Sequence, residues 1–522
     1  PLDSIAQIEI VHGSSSVLYG DNAVSGVINI VTKNGFDGKQ GKIKLQAGSF
    51  QTQRLSGDFR TQKDDTALSL AFDGLKSNGY RDNSAFNNFS LISDISKEHG
   101  SHNYGARIHL SRDDVELPGA LDEATYESDP RESTQPLEKA NERRISLEGY
   151  FSGKIFAGDL TLSKKRQEAT VFGDTEAELG TLSFTPRAKR QYGDHSLVAG
   201  IDVYHSRLET KAEFPNFFPP PAEVKNLSET TRESLGIYFS DTFRVSTATT
   251  INYGFRHQRV KLNIDNNGNI SGKSDDSGED NLNAADITLS HIHQYGGTNY
   301  IRFAHSFRSP VLDEMWDYFS GTINLLDPQT GNHVEIGTRQ TFANGMMLSA
   351  NLFRMNIKDE IAFDGITNVN LDKTRHDGLN VNLSQQLTRD FNASLGLAIR
   401  RATFENGPNK GSTIPLVPHH KVTLSGQYQL TQTSQFVLNA TRTGERYFGD
   451  DNANAGKKMP AYTMLNLSYS KAFDNWKARV LIQNLNNVKT ADSGYYASWL
   501  TPPYTYYPLP ERAVYLTFEG NM

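Results

Sequence analysis

Residues 462–483 read YTMLNLSYSKAFDNWKARVLIQ, and the alternation of apolar and polar residues in this stretch predicts the fold class. Leu465 and Leu467 fall on one face of an extended chain, while Asn466 and Ser468 fall on the other. Because successive side chains of a strand point to opposite faces, the alternation predicts a strand with one apolar and one polar face. The following segment alternates likewise, with Trp476, Ala478, Val480 and Ile482 on one face and Lys477, Arg479 and Gln483 on the other.

The composition of the 522 residues narrows the class of protein. Its apolar runs are only a few residues long, so no segment predicts a membrane-spanning helix, which needs about 20 apolar residues. A net charge of −7 leaves no basic excess for phosphates, and we expect no nucleic-acid partner. The absence of cysteine excludes disulfides and thiolate metal ligands. Abundant Phe, Tyr and Gly suit a transmembrane β-barrel, whose strands alternate lipid-facing and lumen-facing side chains.

From about residue 40 onward, the alternation recurs in about 22 predicted strands. The connections between them alternate in length: residues 63–65 and 431–433 are tight turns, whereas residues 210–230 and 265–280 are predicted long loops. A soluble β-sandwich does not require connections that alternate between short and long. An up-and-down barrel with short turns on one rim and long loops on the other produces this alternation. The sequence therefore predicts an all-β, transmembrane, antiparallel up-and-down β-barrel. Its even strand number lets the last strand pair with the first, and a ring this wide needs a plug.

Residues 1–35 read PLDSIAQIEIVHGSSSVLYGDNAVSGVINIVTKNG, two short β segments around a Gly/Ser-rich turn. By themselves these residues predict only a small globular subdomain. The stretch resembles the end of the plug domain of TonB-dependent outer-membrane receptors, which has the form I-x-x-I-E-V-x-x-G-P-x-S-x-x-Y-G-x-x-A-x-x-G-V-I-N-I-x-T-K. It matches at Ile5, Ile8, Glu9, Gly13, Ser16, Tyr19, Gly20, Ala23, Gly26, Val27, Ile28, Asn29, Ile30, Thr32 and Lys33.

Weaker matches follow in the same order as in that family. The segment FRSP at 307–310 followed by Glu314 resembles an F-R-x-P-x-x-x-E box, and EIG at 335–337 resembles the start of the next strand. PHHK at 418–421 and NLNN at 484–487 resemble two further family elements. The resemblance implies a plug remnant at residues 1–35 and a barrel at residues 36–522. It also implies that the N-terminal part of the plug, with the short box that TonB contacts, is absent from this chain.

Aromatic clusters in the predicted long loops are the candidate ligand site. Prolines accompany them in mid-loop, whereas the residues of an interfacial aromatic girdle belong at strand ends. A rigid aromatic surface that stacks a planar or catecholate ligand is therefore as reasonable as a girdle. The candidate ligand-binding residues are Phe217, Phe218, Trp316, Tyr318, Tyr495, Tyr496, Trp499, Tyr504, Tyr506 and Tyr507.

No motif of an enzyme stands in the sequence: there is no Walker loop, no G-x-S-x-G and no H-E-x-x-H. His419 and His420 are neighbours in a predicted strand and point to opposite faces, so they cannot share a metal. The oxygen-rich run at 265–269 lacks the glycine turn of a calcium loop, since Ile270 stands there. The acidic run at 113–138 is either a solvated surface or a vestibule that attracts a cationic or metal-charged ligand. We expect no catalytic residue, no resident metal and no cofactor.

Together these features predict a receptor in the outer membrane of a Gram-negative bacterium. The resemblance implies that it binds a scarce, large ligand outside the cell and imports it to the periplasm with energy transduced by TonB. An iron-siderophore is the first expectation for the ligand, and a cobalamin-like cofactor is the alternative. A passive porin or adhesive barrel is the alternative function, although a porin has no use for a plug. Expected partners are the TonB complex, outer-membrane lipid and lipopolysaccharide, and a small-molecule or metal-chelate ligand. We expect a monomer.

Overall fold

Twenty-two antiparallel strands close into one ring in the computed structural model of the chain. The structure describes residues 1–21, 23–38, 40–215, 223–269, 272–294, 296–317, 320–363, 367–498 and 500–521. The last strand pairs with the first, from Lys42 opposite Asn521 to Gly48 opposite Tyr515. The ring therefore has no free edge whose backbone groups lack partners. The prediction of a closed antiparallel barrel is confirmed, including its strand number.

The strands are, in chain order, β1 (Ile5–His12), β2 (Gly26–Thr32), β3 (Gln40–Gly48), β4 (Thr52–Lys63), β5 (Thr66–Ser77), β6 (Phe86–His99), β7 (His102–Glu116), β8 (Leu121–Asp122), β9 (Lys139–Ser152), β10 (Phe156–Thr170), β11 (Asp174–Phe184), β12 (Arg187–Tyr192), β13 (His195–Phe214), β14 (Val224–Arg244), β15 (Thr249–Gly268), β16 (Gly272–Ile292), β17 (Thr298–Arg308), β18 (Trp316–Asp317), β19 (Thr322–Ile323), β20 (Gln329–Thr341), β21 (Met347–Lys358), β22 (Glu360–Phe363), β23 (Asn368–Leu371), β24 (Thr374–Thr388), β25 (Phe391–Phe404), β26 (His420–Thr431), β27 (Ser434–Thr443), β28 (Arg446–Tyr447), β29 (Lys458–Met459), β30 (Tyr462–Ala472), β31 (Trp476–Gln483), β32 (Ala491–Ser493), β33 (Thr505–Pro508) and β34 (Ala513–Asn521). The helices are α1 (Ser16–Tyr19) and α2 (Glu123–Ser128), and 3-10 turns lie at Leu2–Ser4 and Gly35–Asp37. β11 and β12 occupy one place in the ring. Pro186 stands between them, and a proline has no N–H for the ladder.

The two faces of β15 show how the barrel wall divides lipid from lumen. Arg256 and Gln258 point inward and are 1% and 2% exposed, whereas Phe255, the residue before Arg256, points outward and is 50% exposed. Further along the outer face, Arg259 forms an ion pair with Glu279 of β16 at 2.7 Å. An outward apolar band followed by outward charges is the pattern of a wall that leaves lipid and enters water.

The two rims of the barrel differ in their connections. On one rim the connections are two to five residues long, as at 64–65 and 293–297. On the other rim they reach 22 residues at 117–138 and 29 residues at 484–512, but residues 49–51 and 171–173 are connections of only three. As predicted, all connections on the short-turn rim are short. The connections on the long-loop rim include both long and short ones.

Two predicted long loops are wrong, because β13 to β16 run on far above the apolar band. The predicted loop at 265–280 lies mostly in strands, since β15 ends at Gly268 and β16 begins at Gly272. The loop at 210–230 is likewise shortened to the residues between Phe214 and Val224. The inner face of β15 remains apolar over this extension, and it buries Val260, Leu262 and Ile264 with Phe307 and Met315. Burial of that face stabilises the extended hairpin, which local alternation of polar residues does not reveal.

The plug segment, residues 1–35, lies at the start of the chain and contacts the inside of the barrel. β1 and β2 pair antiparallel, from Ile5 opposite Thr32 to His12 opposite Gly26. α1 sits between them in sequence and contacts the inner faces of β14, β15, β16 and β17. The predicted boundary between residues 35 and 36 falls in the 3-10 turn Gly35–Asp37, and the division into two domains remains a prediction.

Within the described ranges, no helix has the length and apolar character needed to cross a bilayer.

Candidate functional site

The glycines of the plug motif allow the plug to approach the barrel wall closely. Gly13 has φ +74°, and a Cβ there would lie 2.4 Å from Cε1 of His333 on β20. Gly20 has φ +68°, and a Cβ there would lie 2.9 Å from Nη2 of Arg256. A residue with a side chain is strained in this backbone region and would also collide with the wall. These two motif residues are thus explained by plug docking.

The other motif residues hold the hairpin and its turn. Glu9 accepts a hydrogen bond from Asn29 Nδ2 at 2.9 Å across the hairpin. Ser16 is buried at the start of α1, and its hydroxyl lies 3.5 Å from the carbonyl oxygen of Phe307. Tyr19 is 46% exposed. Gly26 and Thr32 begin and end β2.

Asp21, directly after the Tyr19–Gly20 pair, is a plug residue whose carboxylate contacts the wall. Its carboxylate forms an ion pair with Arg232 of β14 and accepts a hydrogen bond from Gln258 Nε2 at 2.9 Å. The backbone N–H of Ser309 donates to its other oxygen at 3.4 Å. Sequence reasoning missed Asp21, and its place after the Tyr-Gly pair was the only available signal.

The FRSP box forms a compact turn that folds into the lumen. Arg308 forms an ion pair with Glu314, and the other oxygen of Glu314 accepts from the N–H of Val311 at 2.9 Å. Met315, the next residue, is completely buried against the inner wall. The ion pair between the arginine and the glutamate of the predicted box therefore holds the turn closed. The closed turn places residues 309–317 beside Asp21.

A cavity of about 510 Å³ lies between this turn and the opposite wall, and we call it the lumen cavity. Trp316 contributes one side of it; its ring is 7% exposed and its Nε1 donates to Asn266 Oδ1 at 3.1 Å. Two cations, Lys165 and Arg232, and one carboxylate, Asp313, are among its lining residues. The remaining lining is Gln167, Ala169, Val171, Thr175, Ala177, Leu179, Ser206, Leu208, Thr210, Ser228, Thr230, Val311 and Leu312.

Three of the six described aromatic residues that were predicted to bind ligand lie elsewhere, in packed loops. Tyr506 is 5% exposed and stacks on Tyr126 of α2, with ring centroids 4.5 Å apart and planes 4° from parallel. Tyr504 and Tyr496 pack against the same group. Loop strand β33 pairs with loop strand β8, which joins the loop at 484–512 to the loop at 117–138. We call the buried group the loop cluster: Leu121, Tyr126, Phe448, Met459, Ala491 and Tyr506.

Charged side chains surround the loop cluster. Burial raises the pKa of Tyr126 to about 12, and burial likewise raises the pKa of Tyr506. Both hydroxyls therefore stay protonated at neutral pH, and Tyr506 donates to Glu123 Oε1 at 3.3 Å. Lys457 pairs with Glu123 and lies 4.4 Å from the ring centroid of Tyr504. Part of the predicted acidic run is thus used to hold loops together.

Of the predicted site residues, Tyr495 and Tyr507 keep exposed rings. They are 36% and 39% exposed and meet edge to face, with centroids 6.0 Å apart. The structure brings neither of them to the lumen cavity, where Trp316 is the only one of the predicted residues with a described position. Phe217, Phe218, Tyr318 and Trp499 lie outside the described residues. Among the residues that the structure describes, no three His, Asp or Glu side chains form a group that could hold a metal ion.

Comparisons with known proteins agree with this architecture. Residues 40–485 match the family described as TonB dependent receptor-like, beta-barrel. The catecholate siderophore receptor Fiu of Escherichia coli O157:H7 is 24% identical over 421 residues, which are 74% of this chain and 53% of the relative. The iron-regulated outer membrane virulence protein of Vibrio cholerae serotype O1 (strain ATCC 39541) is 23% identical, over 95% of this chain and 78% of the relative.

The fold is also similar to a solved structure, that of the siderophore receptor PiuA from Acinetobacter baumannii. The two superpose with a TM-score of 0.85 over 99% of this chain and 86% of that chain, at 15% sequence identity. The chain spans about half the length of the Escherichia coli receptor that it matches. The family match covers most of the barrel described above, and the chain belongs to the TonB-dependent receptors of the Gram-negative outer membrane.

Proposed function

We propose that this receptor binds an iron-siderophore complex at the cell surface and imports it to the periplasm with energy from TonB. The observation that carries the proposal is the position of the lumen cavity. The cavity borders the surface loops, and its lining residue Arg232 forms an ion pair with the plug residue Asp21. A cavity of about 510 Å³ lies within the size range of small-molecule sites, about 300 to 1,000 Å³. The relatives named as siderophore receptors support iron chelates as the ligand class.

The exposed aromatic pair is proposed as an outer contact for the same ligand. Tyr495 and Tyr507 offer ring faces at the long-loop rim, and a catecholate or other planar group stacks on such rings. The remaining predicted residues, Phe217, Phe218, Tyr318 and Trp499, stay candidates for this surface. Buried Tyr506 would support it from beneath.

The proposed partners follow from the location of the barrel. TonB would act on the plug, and the apolar outer band would contact lipid. Above that band, the outward charges of β10 to β16 would meet the sugar and phosphate groups of lipopolysaccharide, with Arg207 and Glu229 as one exposed pair at 2.9 Å. We propose a monomer, since the ring closes within one chain.

Uptake of labelled iron tests the proposed function. A strain without the gene is grown under iron limitation and supplied with ⁵⁵Fe bound to catecholate, hydroxamate and citrate carriers in turn. We expect uptake from one carrier class to fall to the level of a strain without TonB, and the full-length gene to restore it. Unchanged uptake from every carrier, together with lost uptake of cobalamin, would replace the iron ligand by the cofactor alternative.

Conductance distinguishes the remaining alternative. A passive porin would give steady open channels in planar bilayers, whereas a plugged receptor conducts little until its plug is displaced. The measurement uses the full-length gene product. Open channels without denaturant would favour the porin.

A further inference from the structure

Two residues that line the lumen cavity each have a buried polar atom without a hydrogen-bond partner. Ser228 of β14 is 7% exposed, and Arg232, four residues further along the same inner face, has a side chain 15% exposed. Within the described ranges, neither the Ser228 hydroxyl nor the Arg232 Nε has a hydrogen-bond partner. Buried polar groups are normally paired, so an unpaired hydroxyl and an unpaired guanidinium nitrogen in one wall call for an explanation. A hydroxyl and a guanidinium N–H are both donors to oxygen.

Arg232 also belongs to a second set of contacts. Its Nη2 pairs with Asp21, the carboxylate by which the plug loop holds the wall. Asp21 has two other contacts, from Gln258 and from the N–H of Ser309. One side chain thus lines the ligand cavity and binds the plug.

We propose that the lumen cavity binds an anionic, oxygen-rich group of the ligand and that Arg232 gives up Asp21 to pair with it. The inference rests on the proposed import function and specifies the chemistry of its ligand. Arg232 carries a fixed positive charge and can present two N–H groups to one anion. Lys165, on β10 of the same part of the wall, adds a second cation, although Glu142 lies 3.6 Å from its ammonium.

The exchange loosens the plug loop without freeing it. When Arg232 turns to the ligand, Asp21 keeps the hydrogen bonds from Gln258 and Ser309 and loses its only ion pair in the described part of the chain. A charged carboxylate is costly to leave without a counter-charge in a buried place. The ligand and the plug therefore compete for Arg232, and occupancy of the cavity raises the free energy of the docked plug loop.

The test compares two ferric probes of equal size and different charge. One is the iron complex of a tripodal tris-catecholate, a trianion, and the other is the iron complex of a tripodal tris-hydroxamate, which is neutral. Binding to the purified full-length receptor is measured by quenching of tryptophan fluorescence. We expect the anionic probe to bind the wild type at least tenfold more tightly than the neutral one, and Arg232→Gln to weaken only the anionic probe, by about 10- to 100-fold. The matched control, Arg259→Gln, removes an equal charge from the outer face of β15 and should change neither affinity.

Asp21→Asn separates the exchange from a purely structural role of Arg232. Removing the competitor should strengthen binding of the anionic probe, and amide exchange at residues 14–21 should be fast before any probe is added. In the wild type the anionic probe should accelerate that exchange. Weaker binding by Asp21→Asn, equal binding of the two probes, no binding of the anionic probe, or an unaffected Arg232→Gln would each overturn the inference. None of these results changes uptake of iron in the gene-deletion strain, which tests the proposed function separately.

Discussion

The loop cluster and the lumen cavity use their side chains in opposite ways. In the loop cluster, aromatic rings bury one another: Phe448 is completely buried and lies 5.3 Å from Tyr506, ring to ring. In the lumen cavity, one aromatic ring, Trp316, faces a wall of hydroxyls and cations that carries the unpaired groups of Ser228 and Arg232. Apolar packing stabilises a fixed arrangement, whereas unpaired donors leave something for a ligand to satisfy.

This difference shows that the aromatic residues of the loops have a structural role in this barrel. Side chains that resemble a ligand platform in the sequence, such as Tyr504 and Tyr506, instead join three loops into one unit. The cationic groups that we propose to bind the anionic part of the ligand, Arg232 and Lys165, lie on strands of the wall, which hold them more rigidly than loops would. Four experiments test this contrast between the loop cluster and the lumen cavity.

The largest effect is expected in the loop cluster. Phe448→Ala removes a completely buried ring and should cost about 3 to 5 kcal/mol of local stability, since it loses transfer energy and leaves a cavity. Hydrogen exchange in loops 117–138 and 484–512 should rise together, while the unheated barrel keeps its migration on a gel. Tyr495→Ala, at a ring 36% exposed, is the control and should leave that exchange unchanged. Independent exchange of the two loops would show that the cluster does not join them.

The next effect concerns the docking of the plug. Gly13→Ala and Gly38→Ala both place a side chain at positive φ, +74° and +100°, but only the first meets a wall residue, His333. Strain at positive φ costs about 1 to 3 kcal/mol in each variant, and the collision adds to it only at Gly13. Protease cleavage of the plug hairpin should therefore be faster in Gly13→Ala than in Gly38→Ala. Equal cleavage would mean that the plug does not rest on His333.

A smaller effect is expected at the rim of the lumen cavity. Trp316→Phe keeps a ring in the apolar part of the site and removes the hydrogen bond from Nε1 to Asn266. A hydrogen bond of this kind contributes about 0.5 to 1.5 kcal/mol. Chemical denaturation followed by circular dichroism should show a loss in that range, with Trp476→Phe on the outer wall as the control. No loss would place Trp316 outside the packed turn.

The smallest effect is expected on the outer face. Arg259→Gln breaks a two-bond pair with Glu279, both bonds at 2.7 Å, but the side chains are 49% and 41% exposed. Solvent and salt screen such a pair, so chemical denaturation should show the smallest loss of stability among the four variants, and the loss should shrink further in 1 M salt. A loss as large as that of Trp316→Phe, unchanged in 1 M salt, would contradict this ranking of surface and interior.

Much of the fold follows from the sequence, because a strand's alternation is a local property. Residues 462–483 predicted two strands with one lipid face, and β30 and β31 pair there with Tyr469 opposite Val480. The plug motif likewise indicated the family through its resemblance, residue by residue, to the end of that family's plug. What the sequence could not determine is which residues distant in the chain meet.

The tertiary structure determines which of these distant residues are in contact. Asp21 and Arg232 are 211 positions apart, and only closure of the ring around the plug brings them together. The extension of β15 and β16 depends on an inner face that is buried by the FRSP turn, and Tyr506 is buried because a separate loop supplies Tyr126. Most of the strands and the closed barrel could thus be predicted from the sequence, and its resemblance to a known plug indicated the family. The site was decided by contacts between segments, because burial and pairing depend on the partner side chain as much as on the residue itself.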